Sequence, residues 1–247
     1  MLTDVHCHLT APELEGKLRD IIRDSLNSGL KIIVTSGLGY DDCLKALRIS
    51  DYRLVFPSLG VAPYQLEGYE KVLDLIEKER NRIAAVGEVG LDYWRGEREK
   101  WEMQKNVFKE FIELAKTLDL PIVVHSRSAG KYAIEILLKH RVDRVIMHAF
   151  DGKAVYASEA ADKGFMFSIP PSIARSPQKQ KLVKKLPLEN LLLESDAPVL
   201  APNPGEVNYP KNVRISAEWI SRLKKVPLEK VVEKTYTSAV EILGLKV

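Results

Sequence analysis

Eight short apolar, β-branched runs recur along the chain, most of them followed by an amphipathic stretch, and no other feature narrows its possible folds so far. The runs cover 2–7, 31–36, 53–58, 83–88, 121–126, 144–149, 165–169 and 190–195. Their lengths and residue types are those of buried strands. In 13–28 the apolar residues are Leu14, Leu18, Ile21, Ile22 and Leu26, three or four apart, and Gly29 follows where a left-handed helix cap favours glycine. In 97–118 Trp101, Val107, Phe108, Phe111, Ile112, Ala115 and Leu118 keep the same period. Stretches 129–140, 153–163, 175–186, 213–224 and 228–243 also read as helices. Such alternation predicts an α/β fold whose parallel sheet is covered on both faces. Eight units with short connections favour one closed (β/α)8 barrel of TIM type over 1–247. The 45% of hydrophobic residues suffice for its core.

Other classes are disfavoured. The net charge of +3 is too small to announce nucleic-acid binding by itself. No apolar run approaches the roughly 18–20 residues that span a bilayer. The opening MLTDVHCHL places a charge and two histidines where a signal peptide needs an apolar centre. A cytoplasmic protein with no membrane association and no obligatory protein partner is expected. Its two cysteines, Cys7 and Cys43, lack metal-type spacing and are expected to be reduced and buried.

A barrel of this kind carries its active site at the C-terminal ends of its strands. There the chain has His6 and His8 on strand one, Glu88 on strand four, His125 on strand five, His148 on strand six and Asp196 on strand eight. Residues two apart on a strand share a face. His6, His8 and Asp4 are therefore predicted to point into the barrel, and Cys7 outward toward the helices. Four of the five histidines sit at strand ends. The fifth, His140, falls at a helix C-terminus, where the helix dipole favours a solvated histidine. One buried histidine or carboxylate usually needs only a hydrogen-bond partner. Six at one end of one barrel point to metal, which supplies a partner to all of them. Imidazole and carboxylate without thiolate suit Zn, Mn or Fe, and less well Mg. Six donors exceed what one catalytic zinc takes, so two divalent ions sharing a carboxylate fit better.

These residues stand in motifs. Asp4-Val5-His6-Cys7-His8-Leu9, Gly87-Glu88-Val89-Gly90-Leu91-Asp92-Tyr93, His125-Ser126-Arg127, Met147-His148-Ala149-Phe150 and Leu192-Leu193-Glu194-Ser195-Asp196-Ala197-Pro198 together resemble the TatD family of metal-dependent deoxyribonucleases, within the amidohydrolase-like barrels. The resemblance runs from Asp4 to Gly244-Leu245. It implies that His6, His8 and Asp196 hold one ion, that His125 and His148 hold the other, and that Glu88 bridges them. It further implies that Asp196 takes a proton from the attacking water, and that DNA is the substrate. The chain departs from the family pattern at Ala62 and Tyr64, where many members have histidines. It departs also at Ser128, where Asp is frequent after His-Ser-Arg, and at Ser238, where Asn is usual.

Arg127 is a candidate phosphate contact, with Arg175, Lys179 and Lys181 as further basic candidates on strand-end loops or first helical turns. Tyr64, Tyr93 and Trp94 could stack on bases. The leading expectation is an exonuclease-like enzyme acting on single-stranded or frayed DNA ends. The alternative is a hydrolase of small esters, lactones or amides at the same binuclear site, since the chemistry of such a centre serves either substrate.

Overall fold

The computed structural model describes residues 1–50 and 52–246. Eight parallel strands follow one another in sequence order around a barrel. They are β1 (Leu2–Cys7), β2 (Leu30–Leu38), β3 (Val55–Gly60), β4 (Ala85–Gly90), β5 (Ile122–His125), β6 (Val145–Met147), β7 (Met166–Ile169) and β8 (Leu191–Leu193). The seam between β8 and β1 is closed at its upper end by backbone bonds. Asp196 N donates to His6 O at 2.9 Å, and His8 N donates to Ala197 O at 2.7 Å. Buried Asp4 fastens the same seam, accepting from Ser195 N at 2.8 Å and Ser195 Oγ at 2.5 Å.

The helices are α1 (Leu18–Asn27), α2 (Tyr40–Ile49), α3 (Tyr69–Glu79), α4 (Trp101–Thr117), α5 (Gly130–Lys139), α6 (Ala154–Ala161), α7 (Pro177–Lys185), α8 (Val213–Lys224) and α9 (Leu228–Leu243). Helix α4 shows why they form: Val107, Phe108, Phe111, Ile112 and Ala115 fall on one stripe and are all buried. Each large apolar side chain so buried contributes about 1.5–3 kcal/mol. The stretch 13–28 is divided. A short 3-10 turn at Pro12–Leu14 precedes Gly16, whose φ of 74° breaks the helical path before α1 begins. Gly29 has φ 87°, the left-handed cap its position predicts. Helices α2 and α3 have no counterpart among the sequence-predicted helices, although α3 buries Val72, Leu75 and Ile76 at helical spacing.

Strand parity sorts the core. Val123, Ile146, Met166 and Leu192 pack with Ile32 and Val34 in one buried cluster. Each lies two residues before a polar group at the barrel mouth: His125, His148, Ser168 and Glu194. Their neighbours Val124, Met147, Phe167 and Leu193 join the larger cluster with the helices. Cys7 belongs to that outer cluster, as its parity predicts. Both cysteines are free and buried. Among the described residues no helix is long and apolar enough to cross a membrane.

Candidate metal centre

The strands bring all six expected donors to one end of the barrel. His6 and Glu88 lie within β1 and β4, His125 ends β5, and His8 and His148 directly follow β1 and β6. Asp196 differs from its expected placement. Strand β8 stops at Leu193, and Asp196 stands three residues later in a turn with φ 53°. Aspartate tolerates this left-handed conformation better than most residues.

Glu88 is the hub. Its Oε2 lies 3.3 Å from His6 Nε2 and 3.3 Å from His8 Nε2. Asp196 Oδ1 lies 3.5 Å from the same two nitrogens. The other Glu88 oxygen, Oε1, faces His125 Nδ1 closely and His148 Nε2 at 3.6 Å. One carboxylate thus divides its oxygens between two groups of imidazoles. Three sets of donor atoms come within 4.8 Å of one another: His6, His8 and Glu88; Glu88, His125 and His148; and His6, His148 and Asp196.

Each imidazole is held by its second nitrogen. Ser36 serves two of them, its Oγ 3.1 Å from His6 Nδ1 and its carbonyl 3.0 Å from His8 Nδ1. Asp92 Oδ2 lies 2.9 Å from His125 Nε2, while Asp92 Oδ1 accepts from Trp94 N and Arg95 N. Glu194 Oε2 lies 2.9 Å from His148 Nδ1 and 2.6 Å from Ser168 Oγ, and Glu194 Oε1 accepts from Ala149 N. Such partners fix ring orientation and raise ligand basicity. Ser36, Asp92 and Glu194 were not singled out by the sequence. Their signal was available: Glu194 precedes Asp196 by two residues and Asp92 follows Glu88 by four.

Buried charge shapes the titration of the cluster. Burial alone would lower the His6 pKa, but the Asp196 and Glu88 carboxylates outweigh it and raise it to about 9. His125 rises to about 9 against the same burial cost, through Glu88 and Asp92. Glu88 and Asp196 are driven the other way. Burial opposes ionisation of each, yet the surrounding imidazoles hold both well below the usual carboxylate range. Ionised carboxylates facing buried imidazoles are compatible with a divalent cation. His6 Nε2 is buried, with Glu88 Oε2 at 3.3 Å and Asp196 Oδ1 at 3.5 Å but, among the described residues, no partner in hydrogen-bond geometry. An unmade hydrogen bond on a buried polar atom costs about 1–3 kcal/mol. A divalent ion satisfies that nitrogen and neutralises the carboxylates, so the donor set fits such ions.

The centre opens into a cleft of about 820 Å³, walled in part by Tyr64, Arg95, Arg127 and Arg175. Arg127 lays its guanidinium 3.7 Å above the exposed Trp94 ring. Arg95 donates to Tyr64 OH at 3.0 Å. Three expected contacts are placed differently. Tyr93 does not line the cleft; its ring stacks on Trp101 at 4.0 Å. Lys179 reaches the wall but is buried, and its Nζ donates to Ala149 O and Phe150 O at 2.7 and 2.8 Å. Lys181 lines a neighbouring cleft. His140 is remote from the centre and pairs with Glu113 at 2.7 Å.

Barrel, donor set and comparisons together define a metal-dependent hydrolase. Residues 3–244 match the family model described as TatD related DNase, and the chain belongs to the TatD family. It is 40% identical to a human protein, Deoxyribonuclease TATDN3, over 98% of this chain and 94% of that one. It is 34% identical to the uncharacterized metal-dependent hydrolase MJ1582 of Methanocaldococcus jannaschii, over 94% and 93% of the two chains. The crystal structure of YjjV, a TatD homologue from Escherichia coli, superposes with a TM-score of 0.92 at 25% identity, covering 99% of this chain and 98% of its own.

Proposed function

We propose that this hydrolase is a deoxyribonuclease acting on single-stranded or frayed DNA ends, with two divalent ions (Zn, Mn or Mg) as cofactors. The observation that carries the reading is the division of Glu88 between two imidazole groups, at the base of a cleft walled by Arg127 and Arg175. In this reading His6, His8 and Asp196 would hold one ion, His125 and His148 would hold the other, and Glu88 would serve both. Bound divalent ions supply a nucleophile at neutral pH and stabilise charge on the leaving oxygen. Asp196, kept ionised by its imidazole neighbours, is the group that accepts the proton of the attacking water. Arg127, stacked on Trp94, presents its guanidinium edge to a phosphate. The name of the human relative supports a DNA substrate.

End-labelled single-stranded DNA, closed circular DNA and a neutral ester or lactone, each incubated with metal-loaded protein, test the reading. Mononucleotides are expected from linear DNA only, with inhibition by salt and by chelation. Intact DNA alongside a hydrolysed ester or lactone would replace this reading with that of a small-molecule hydrolase.

A further inference from the structure

A second cleft, of about 670 Å³, opens beside the metal centre, over the first turns of α5, α6 and α7. Asp151 lines both clefts, so they meet at that residue. The walls of the second carry Lys131, Lys153 and Lys181, all exposed, against Asp151 as their one carboxylate. Lys131 also reaches Glu135 at 3.5 Å, an exposed pair of little strength. Two aromatic rings share the walls. Tyr132 is 49% exposed, and Tyr156 is half-buried with Lys131 Nζ 5.6 Å from its ring centre. Ser128 lines this cleft too, its backbone N donating to Asp151 Oδ2 at 3.0 Å.

Lysines beside one exposed and one half-buried tyrosine ring suit a polyanion that also carries flat rings. A neutral ester or lactone uses neither feature, and an acidic peptide uses only the charge. Basic grooves interleaved with aromatic platforms are how single strands are held without regard to sequence. The volume falls in the range of about 300–1,000 Å³ that encloses a compact ligand, enough for a nucleotide.

We propose that this cleft is a second nucleic-acid subsite, which holds the strand next to the phosphodiester being cut. Lys131 and Lys153 contact its phosphates, and Tyr132 receives a base. The inference rests on the deoxyribonuclease reading and extends its footprint beyond the metal-bearing cleft.

The test compares a twelve-nucleotide oligothymidylate with a thymidine dinucleotide, using the full chain and its Lys131→Ala/Lys153→Ala variant. KM and kcat are measured with Mn²⁺, and equilibrium binding of the labelled twelve-mer by fluorescence anisotropy in chelator. The variant is expected to raise KM and Kd for the twelve-mer about tenfold. Its kcat and its KM for the dinucleotide should stay unchanged. The log–log salt slope should shrink by about 1.4, two contacts at roughly 0.7 each. An unchanged twelve-mer KM, or equal losses for both lengths, overturns the subsite while the nuclease reading stands. Wild-type protein inert on both DNAs overturns the nuclease reading and the subsite with it. Polyglutamate of matched charge displacing the labelled twelve-mer better than unlabelled DNA does would assign the cleft to an acidic protein segment, against the proposal.

Discussion

Glu88 and Asp196 are both buried carboxylates among imidazoles, yet their positions give them different tasks. Glu88 offers one oxygen to each imidazole group, so its loss is felt on both sides. Glu88→Gln is expected to weaken both ions at least about tenfold, as losing even an outer-shell partner costs roughly 10–100-fold in affinity. Metal analysis after dialysis checks this, and full retention of one ion would show that Glu88 is not shared. Asp196 Oδ1 lies 3.5 Å from the His6 and His8 nitrogens, and it shares a donor set with His6 and His148. In the proposed role, Asp196→Asn should keep the fold and lower turnover at least about 10²-fold, because it would remove a positioned base together with a ligand charge. Turnover near that of the wild type would remove Asp196 from the role of base. Glu194 differs from both. Fully buried and committed to His148, Ser168 and Ala149, it is a positioning residue.

At the scale of elements, the strands aim the donors and the loops behind them hold the aim. Gly60 and Gly90 are glycine for want of space. A Cβ on Gly60 would stand 2.3 Å from the carbonyl oxygen of Glu88, and one on Gly90 2.2 Å from that of His125. These close approaches let β3, β4 and β5 pack tightly where β4 and β5 carry Glu88 and His125. The loop after β8 is pinned by Asn208, which is fully buried. Its Nδ2 donates to Ser195 O at 2.6 Å and Val199 O at 2.9 Å, and its backbone N donates to Pro198 O. Asn208 thereby fixes the turn that carries Asp196. Asn208→Ala leaves the buried Ser195 carbonyl, and the Val199 carbonyl, without their side-chain donor, at a cost of about 1–3 kcal/mol. A melting point lowered by a few degrees is expected, with a larger loss in kcat than in KM. An unchanged kcat would show that the loop does not govern Asp196.

At the scale of the whole molecule, the proposed metal centre links ion binding and stability through the same imidazoles. In metal-stripped protein His6 and His125 titrate near 9, above their ordinary 6.5. The folded state then binds more protons than the unfolded state between those values. The stability these groups supply is full below pH 6.5 and is lost as pH rises through about 9. Asp4, raised by burial from 3.8 to about 7, adds a loss of the same sign between those values. Thermal melts of stripped protein should therefore fall steadily from pH 6 to pH 9. Loaded protein should melt higher throughout, because a ligand that binds only the folded state stabilises it by mass action. It should also lose its advantage as pH drops, since protons compete for the imidazoles. Stripped protein growing more stable from pH 6 to 9 would refute the assignment.

Alternation of apolar runs with helical periodicity was enough to determine the barrel, because burial on both faces demands strands of one kind and helices of the other. Parity on β1 was enough to send His6 inward and Cys7 outward, since the side-chain period of a strand is two. The motifs were enough to identify the family. What the sequence could not decide were matters of distance between segments far apart in the chain. The pairing of Ser195 with Asp4, of Glu194 with His148 and of Asp92 with His125 depends on how the closed barrel brings strand ends together. The same holds for Lys179. On sequence it resembles Lys181 as a phosphate contact, but α7 packs its ammonium onto the carbonyls of Ala149 and Phe150 while Lys181 stays exposed. Local composition sets what a side chain can do, and only packing sets which partners lie within its reach.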